Sequence, residues 1–218
     1  MKSLYSIILS FICLSVFAQK SDSTRTYYRI IRGGLIEHAT ELKSKRYIKN
    51  GESEIRANKH LAASGLYKDG ERYGRWRFFD GPDSVEQVYN YTTKKVEINK
   101  PIRDILYEVD GLKTGDRIIY PAKIGGFNLG LRFLLKEYIP SKSFRPYVGI
   151  HVVKLIFHIN EEGKLVKYET ETGEGNLKEV INIDLKNLRP EDFEFTPAYL
   201  NNKPVASRLI FKSKLTVD

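Results

Sequence analysis

The chain is almost free of cysteine, since Cys13 is the only one among its 218 residues. Cys13 lies in an N-terminal segment that we expect to be removed, so the mature chain would contain none. That excludes disulfide bonds, thiolate nucleophiles and cysteine-ligated zinc, and its stability must come from a packed core. A chain of this length buries roughly 70% of its unfolded surface, which is enough core for two modules.

Long hydrophobic runs are also missing. The apolar stretch at residues 4–17 is shorter than the roughly 20 residues that a membrane-spanning helix needs, and no later segment comes near that length. Lys2 precedes this stretch, and small residues around Ala18 follow it, a pattern typical of a cleavable export signal over residues 1–18. We therefore expect a periplasmic protein, with an uncleaved N-terminal anchor as the alternative.

Acidic residues are outnumbered, 27 to 36, which gives a formal net charge of +9. Lys and Arg are dispersed among acidic residues, so the pattern does not favour a nucleic-acid interface. It is typical of a solvated basic surface, and it would also favour anionic envelope surfaces. With 41% hydrophobic and 29% charged residues, the composition is that of a globular protein and excludes disorder.

The N-terminal part of the mature chain is rich in tyrosine and punctuated by glycine. Residues 69–70 form an Asp-Gly dipeptide, which is a strong signal for a tight turn. Tyr67 before it and Trp76 after it suit the two arms of a hairpin. Another turn at residues 80–82 leads to an aromatic run at residues 88–91, so this region predicts an antiparallel meander of three short strands.

The C-terminal half shows alternating helix and strand patterns. Apolar residues recur with helical spacing, and others alternate with the period of a strand. The resulting order is a helix (127–138), a strand (153–159), a turn (160–163), a returning strand (165–172), a helix (176–188) and a last strand (205–217).

These patterns predict the α+β class, with a β-meander followed by a two-layer α-β-β-α-β domain in which two helices cover one face of a three-stranded antiparallel sheet. The domain boundaries that follow are a signal peptide at 1–18, a β-rich region at 19–100, a connector at 101–118 and the α/β domain at 119–218. Whether the connector is a strand or a short helix is left open by its sequence.

The meander region contains one copy of a glycine and aromatic pattern, at Gly65, Tyr67, Gly70, Gly74, Trp76, Phe78 and Phe79. With this pattern, residues 62–91 resemble a MORN-type hairpin repeat. The resemblance implies a spacer or an interaction surface; the alternative is that the aromatic residues only form the core of a small sheet.

Three motifs occur in order in the C-terminal half: a Pro-Ala-x-x-Gly-Gly segment at 121–126, the strand-turn-strand unit at 153–168, and a Phe-Thr-Pro-Ala segment at 195–198 that leads into the last strand. With these motifs, residues 119–217 resemble the C-terminal domain of the TonB family. The resemblance implies pairing with an extended segment of an outer-membrane or envelope protein by strand addition. The 8 prolines are scattered, without the long proline-rich spacer of an energy-transducing member.

On this interpretation the strand at 205–217 is the free edge of the sheet. Lys212 and Lys214 would steer an acidic segment or, alternatively, protect the edge against aggregation. The alternatives to strand addition are a purely structural module or a homodimer formed through the same edge, and then an energy-transducing role. The predicted partner-binding residues are Arg208, Leu209, Ile210, Phe211, Lys212 and Lys214.

No catalytic, metal or cofactor site is predicted. The positions of His151 and His158 differ by seven, an odd number, so the two side chains would point to opposite faces of one strand. Glu169, Glu171 and Glu174 would lie in a solvated loop. We therefore expect a non-enzymatic binding or scaffold protein of the cell envelope.

Overall fold

The computed structural model describes residues 23–218, so the predicted signal peptide and Cys13 lie outside the described residues. Strands make up 55% of the structure and helical segments 13%, with one short α-helix. The predicted α+β class with an α-β-β-α-β domain is therefore wrong, because the chain folds mostly into antiparallel β-sheets.

The first sheet is a meander of seven antiparallel strands in chain order. The predicted hairpin is confirmed: Asp69 and Gly70 both have positive φ (49° and 91°) and join the fourth and fifth strands. Trp76 and Phe78 are buried in the core of this sheet. The strands are β1 (Thr24–Ile30), β2 (Ile36–Leu42), β3 (Lys49–Ala57), β4 (His60–Lys68), β5 (Glu71–Gly81), β6 (Ser84–Asn90) and β7 (Lys95–Asn99).

The second sheet has five antiparallel strands in the order β13-β12-β11-β17-β8. The strands predicted at 153–159, 165–172 and 205–217 are present in it as β11 (Gly149–Ile159), β12 (Leu165–Thr172) and β17 (Ser207–Val217). Its outer strands are β8 (Ile105–Val109), which comes from the predicted connector, and β13 (Glu179–Asn182). The remaining short strands are β9 (Ile118–Ile119), β10 (Ala122–Lys123), β14 (Phe195–Thr196), β15 (Ala198–Leu200) and β16 (Lys203–Val205).

The two predicted helices have different outcomes. The first is reduced to a π-helical turn, Phe127–Leu131, which continues into the helix α1 (Arg132–Leu135) and buries Leu131 and Leu134. The second, at 176–188, is wrong: strand β13 lies between two 3-10 turns, Gly175–Leu177 and Leu185–Asn187. Val180 of its supposed apolar stripe is 51% exposed, so helical spacing here did not mark a buried face.

The first sheet meets residues 123–131 of the C-terminal half through buried polar contacts as well as apolar ones. The Gln87 side chain donates to the Lys123 carbonyl (3.0 Å) and accepts from the Gly125 amide (2.9 Å). The buried Glu86 carboxylate accepts from the Phe127 amide, and burial raises its pKa. The Lys123 ammonium is 2% exposed, and burial lowers its pKa to about 7, although it donates to the carbonyls of Ile124, Glu191 and Glu194.

Candidate functional site

The predicted partner-binding residues all lie on β17, but that strand has neighbours on both sides over part of its length. Residues 207–211 pair with β11 and with β8, so this part of the strand is not a free edge. Within it, Arg208 forms an ion pair with Glu108, Leu209 and Ile210 are buried, and Phe211 packs against Phe127. The expectation of a free edge along 205–217 therefore fails for Arg208, Leu209, Ile210 and Phe211.

The C-terminal part of β17 has a partner on one side only. The Lys212 amide donates to the Asp104 carbonyl (2.8 Å), just before β8 begins. Beyond that bond, residues 213–217 pair with β11, and no strand within 23–218 covers their other side. Successive residues of an antiparallel strand present their backbone N–H and C=O groups to alternate sides. The N–H and C=O groups of Lys214 and Thr216 therefore point to the same side as those of Lys212, away from β11. We call residues 213–217 the open segment.

The side chains around the open segment are cationic and apolar. Lys212 and Lys214 are exposed and form no ion pair with any residue of the described chain. At the adjoining end of β11, on the side of β17 away from the open backbone, Ile150 is 67% exposed and lies opposite Thr216, and Val148 is 76% exposed. The side chains next to the open backbone itself are cationic and suit a segment that carries acidic residues.

A second candidate site is a cleft of about 580 Å³ between the first sheet and the C-terminal half of the chain. One wall is formed by the meander, where Glu37, Lys49 and Arg72 extend from β2, β3 and β5. The opposite wall is largely apolar and includes Ile124 and Phe133. Charged residues also line the cleft: Glu71 from the meander, and Arg189, Glu191 and Glu194 from the C-terminal half.

Glu37 is the buried carboxylate of this cleft, with 1% of its surface exposed. It accepts hydrogen bonds from Lys49 Nζ (3.0 Å), Ser53 Oγ (3.2 Å) and the Tyr67 hydroxyl (3.0 Å), and forms an ion pair with Arg29. Burial alone would raise the pKa of Glu37, but the charges and hydrogen bonds of Lys49 and Arg29 outweigh burial and lower it. Burial lowers the pKa of Lys49 against the attraction of Glu37.

Arg72 is a cation held by aromatic groups. Its Nη1 donates to the Tyr91 hydroxyl (2.7 Å), and its guanidinium carbon lies 4.4 Å from the centre of the Trp76 ring. Tyr67 is directly opposite Arg72 in the register of β4 and β5.

Arg72 was not among the site residues predicted from the sequence. The usable signal was the two-residue turn at 69–70, which places positions 67 and 72 opposite each other.

The histidines and glutamates that were considered for catalysis occupy the second sheet. His158 Nε2 lies 2.8 Å from Glu169, whereas the His151 ring contacts the Tyr147 carbonyl (2.7 Å). Glu169 and Glu171 belong to β12 rather than to a loop, and Glu171 forms ion pairs with Lys154 and Lys178. Within residues 23–218 there is no cluster of three metal-ligating side chains and no helix long and apolar enough to cross a membrane.

No protein-family model, curated protein or solved structure matches this chain. The resemblances to MORN repeats and to the TonB C-terminal domain therefore stay predictions from the sequence.

Proposed function

We propose that this protein is a non-enzymatic binding protein of the cell envelope, exported to the periplasm, which takes up an extended segment of a partner protein by strand addition. The observation that carries the proposal is the open segment of β17, where the strand continues past the end of β8. A peptide laid antiparallel or parallel to residues 213–217 would continue the sheet beyond the first residue of β8.

Backbone pairing alone would give weak binding at this site. Lys214 and Thr216 offer their N–H and C=O groups, and each hydrogen bond contributes about 0.5–1.5 kcal/mol net. The side chains must therefore add affinity and select the partner. Lys212 and Lys214 favour acidic residues in the added strand. We infer that the partner is an outer-membrane or envelope protein with an extended acidic segment.

The resemblance of residues 119–217 to the TonB C-terminal domain supports the periplasmic location and this mode of binding. The first sheet, with its MORN-like hairpin, would act as a spacer or scaffold. A homodimer that pairs two open segments is the alternative, because the same free backbone groups would serve a second copy of the chain.

The test is photocrosslinking in intact cells of the source organism. A photoreactive phenylalanine analogue replaces Thr216 on the open segment, and in a control protein it replaces Val180 on β13, the outer strand at the opposite side of the sheet. We expect a crosslink from position 216 and not from 180. Mass spectrometry of the linked peptide should then identify an extended segment of an envelope protein as the partner.

Two further variants separate backbone pairing from charge. Lys214→Pro removes an N–H that β11 does not use, whereas Lys214→Ala keeps that N–H and removes only the charge. Lys214→Pro should abolish the crosslink, and Lys214→Ala should weaken it. Equal crosslinking from 216 and 180, or a crosslink that survives Lys214→Pro in a protein with an unchanged circular dichroism spectrum, contradicts strand addition. A crosslink between two copies of the chain selects the homodimer.

A further inference from the structure

The cleft between the sheets contains an arginine whose charge no carboxylate balances. Every other cation of the meander wall has a carboxylate partner: Arg29 and Lys49 pair with Glu37, and Arg32 pairs with Asp192. No carboxylate within residues 23–218 lies within 4.0 Å of the Arg72 guanidinium. Its polar neighbours are the neutral hydroxyls of Tyr91 and Tyr67.

Glu37, the buried carboxylate of this wall, cannot balance the charge of Arg72. Glu37 already accepts from Arg29, Lys49, Ser53 and Tyr67, which occupies the roughly four lone-pair positions of a carboxylate. A guanidinium carries five N–H donors in a planar fork, and two hydroxyls can use only two of them. The remaining donors of Arg72 are free for a ligand in the cleft.

We propose that this cleft binds a carboxylate ligand through a bidentate contact with Arg72. The planar fork of arginine matches the two oxygens of a carboxylate, and the contact with the Trp76 ring (4.4 Å) and the Tyr91 hydroxyl hold the guanidinium in place before the ligand arrives. The apolar side chains of Ile55, Leu129 and Phe133 also line the cleft, so the ligand carries an apolar body behind its carboxylate. The cleft volume of about 580 Å³ lies in the range of small-molecule sites.

Two sources provide this chemistry: a free organic acid, and the C-terminal carboxylate of a peptide chain. Both present a planar carboxylate next to apolar groups. The probes that distinguish them are benzoate, for the free acid, and the dipeptide N-acetyl-Ala-Phe with a free C-terminus, for the chain end. Benzamide and the amidated dipeptide have the same shapes without the charge and serve as matched controls.

The experiment uses the indole N–H of Trp76, which is the only tryptophan of the chain and therefore gives a single NMR signal. This N–H donates to the Leu66 carbonyl (2.9 Å), and its ring lies against Arg72. Titration with benzoate or with the free dipeptide should shift the indole signal in a saturable way, whereas the amides should not. The source with the tighter binding identifies the class of ligand.

Arg72→Gln should weaken binding of the better carboxylate by at least about tenfold, because it removes both the charge and the fork. The matched control is Arg75→Gln: Arg75 is on the same strand, forms an ion pair with Glu97 on the surface, and should bind as the wild type does. Equal shifts with benzoate and benzamide in the wild-type protein, or unchanged binding in Arg72→Gln, overturn the proposal. The comparison of acids with amides needs no variant and holds even if Arg72→Gln unfolds.

Discussion

Trp76 packs directly against Gly65 in the first sheet. Trp76 is fully buried, and its ring lies across the β4–β5 hairpin on the backbone of Gly65. A Cβ atom at position 65 would stand 2.4 Å from the indole Cδ2, which is closer than any two carbon atoms pack. The glycine is needed here because of space, since the φ of Gly65 is not positive.

Gly65→Ala should therefore destabilise the protein. Overpacking in a filled core costs about 1–3 kcal/mol, because the indole has to move off its position. Gly81→Ala is the control: Gly81 ends β5, and nothing lies within 4 Å of the position its Cβ would take. Urea denaturation followed by tryptophan fluorescence gives both values. If Gly65→Ala lowers the free energy of unfolding no more than Gly81→Ala does, close packing of Trp76 on Gly65 is not the reason for the glycine.

The sequence predicts one wall of the cleft far better than the other. The turn at 69–70 fixes the register of the hairpin, and with it the opposition of Tyr67 and Arg72. The facing wall is formed by Ile124 and Phe133, whose contact with the hairpin depends on how the two halves of the chain dock. Periodicity and turn signals describe single elements of the chain and give no information on how its two halves dock, so the cleft was not predicted.

At the scale of elements, the alternation of apolar residues identified β11, β12 and β17 but not their neighbours. Alternation reports which face of a strand is buried, and it is silent on which strand pairs with each edge. The strand β8, with Ile105 and Tyr107 packed against the core, was therefore not anticipated beside β17. The supposed helix at 176–188 failed for a related reason: Leu185 and Leu188 do pack against or in the core, but β13 between the two 3-10 turns carries Val180 on the surface.

Amide hydrogen exchange should distinguish two parts of β17: a protected part that pairs with β8, and an unprotected part that extends past the first residue of β8. Ile210 and Lys212 direct their N–H groups to the β8 side and have acceptors there, so their exchange should be slow. Lys214 and Thr216 direct theirs to the same side without an acceptor in the described chain, and should exchange at rates close to those of an unstructured peptide.

Leu215 is the internal control for that experiment, because its N–H points to β11 and should be protected. Residue-resolved exchange by NMR measures all five positions in one sample. Slow exchange at Lys214 and Thr216 in dilute protein would mean that the open segment is already paired, either with the chain itself or with a second copy. Dilution would separate these two cases, because only pairing between copies depends on concentration.

At the scale of the whole molecule, Arg32 links the two halves of the chain. It follows β1 in the first sheet, and its Nη1 bonds both carboxylate oxygens of Asp192 in the C-terminal half. Its Nη2 donates to Glu137 (3.1 Å), and its guanidinium stacks on Phe133 at 4.6 Å. Asp192 is 2% exposed, so the ion pair lies largely out of water.

Replacing Arg32 should cost more than an ordinary surface ion pair, because it leaves a buried carboxylate without its cation. Arg32→Met keeps much of the apolar stem, and we expect it to lower the free energy of unfolding by about 3 kcal/mol. The double variant Arg32→Met/Asp192→Asn should recover part of that loss, since the uncompensated charge is removed with its partner. Arg56→Met is the control: Arg56 pairs with Glu54 at the surface, so this substitution should cost no more than about 1 kcal/mol.

Urea unfolding of the wild type and the three variants measures these free energies. Tryptophan fluorescence reports on the first sheet, and circular dichroism reports on the whole chain. If Arg32→Met costs no more than Arg56→Met, the ion pair does not hold the two halves together, and their docking depends instead on the contacts of Gln87 and Glu86 and on the packing of Ile124 and Leu129 against the first sheet.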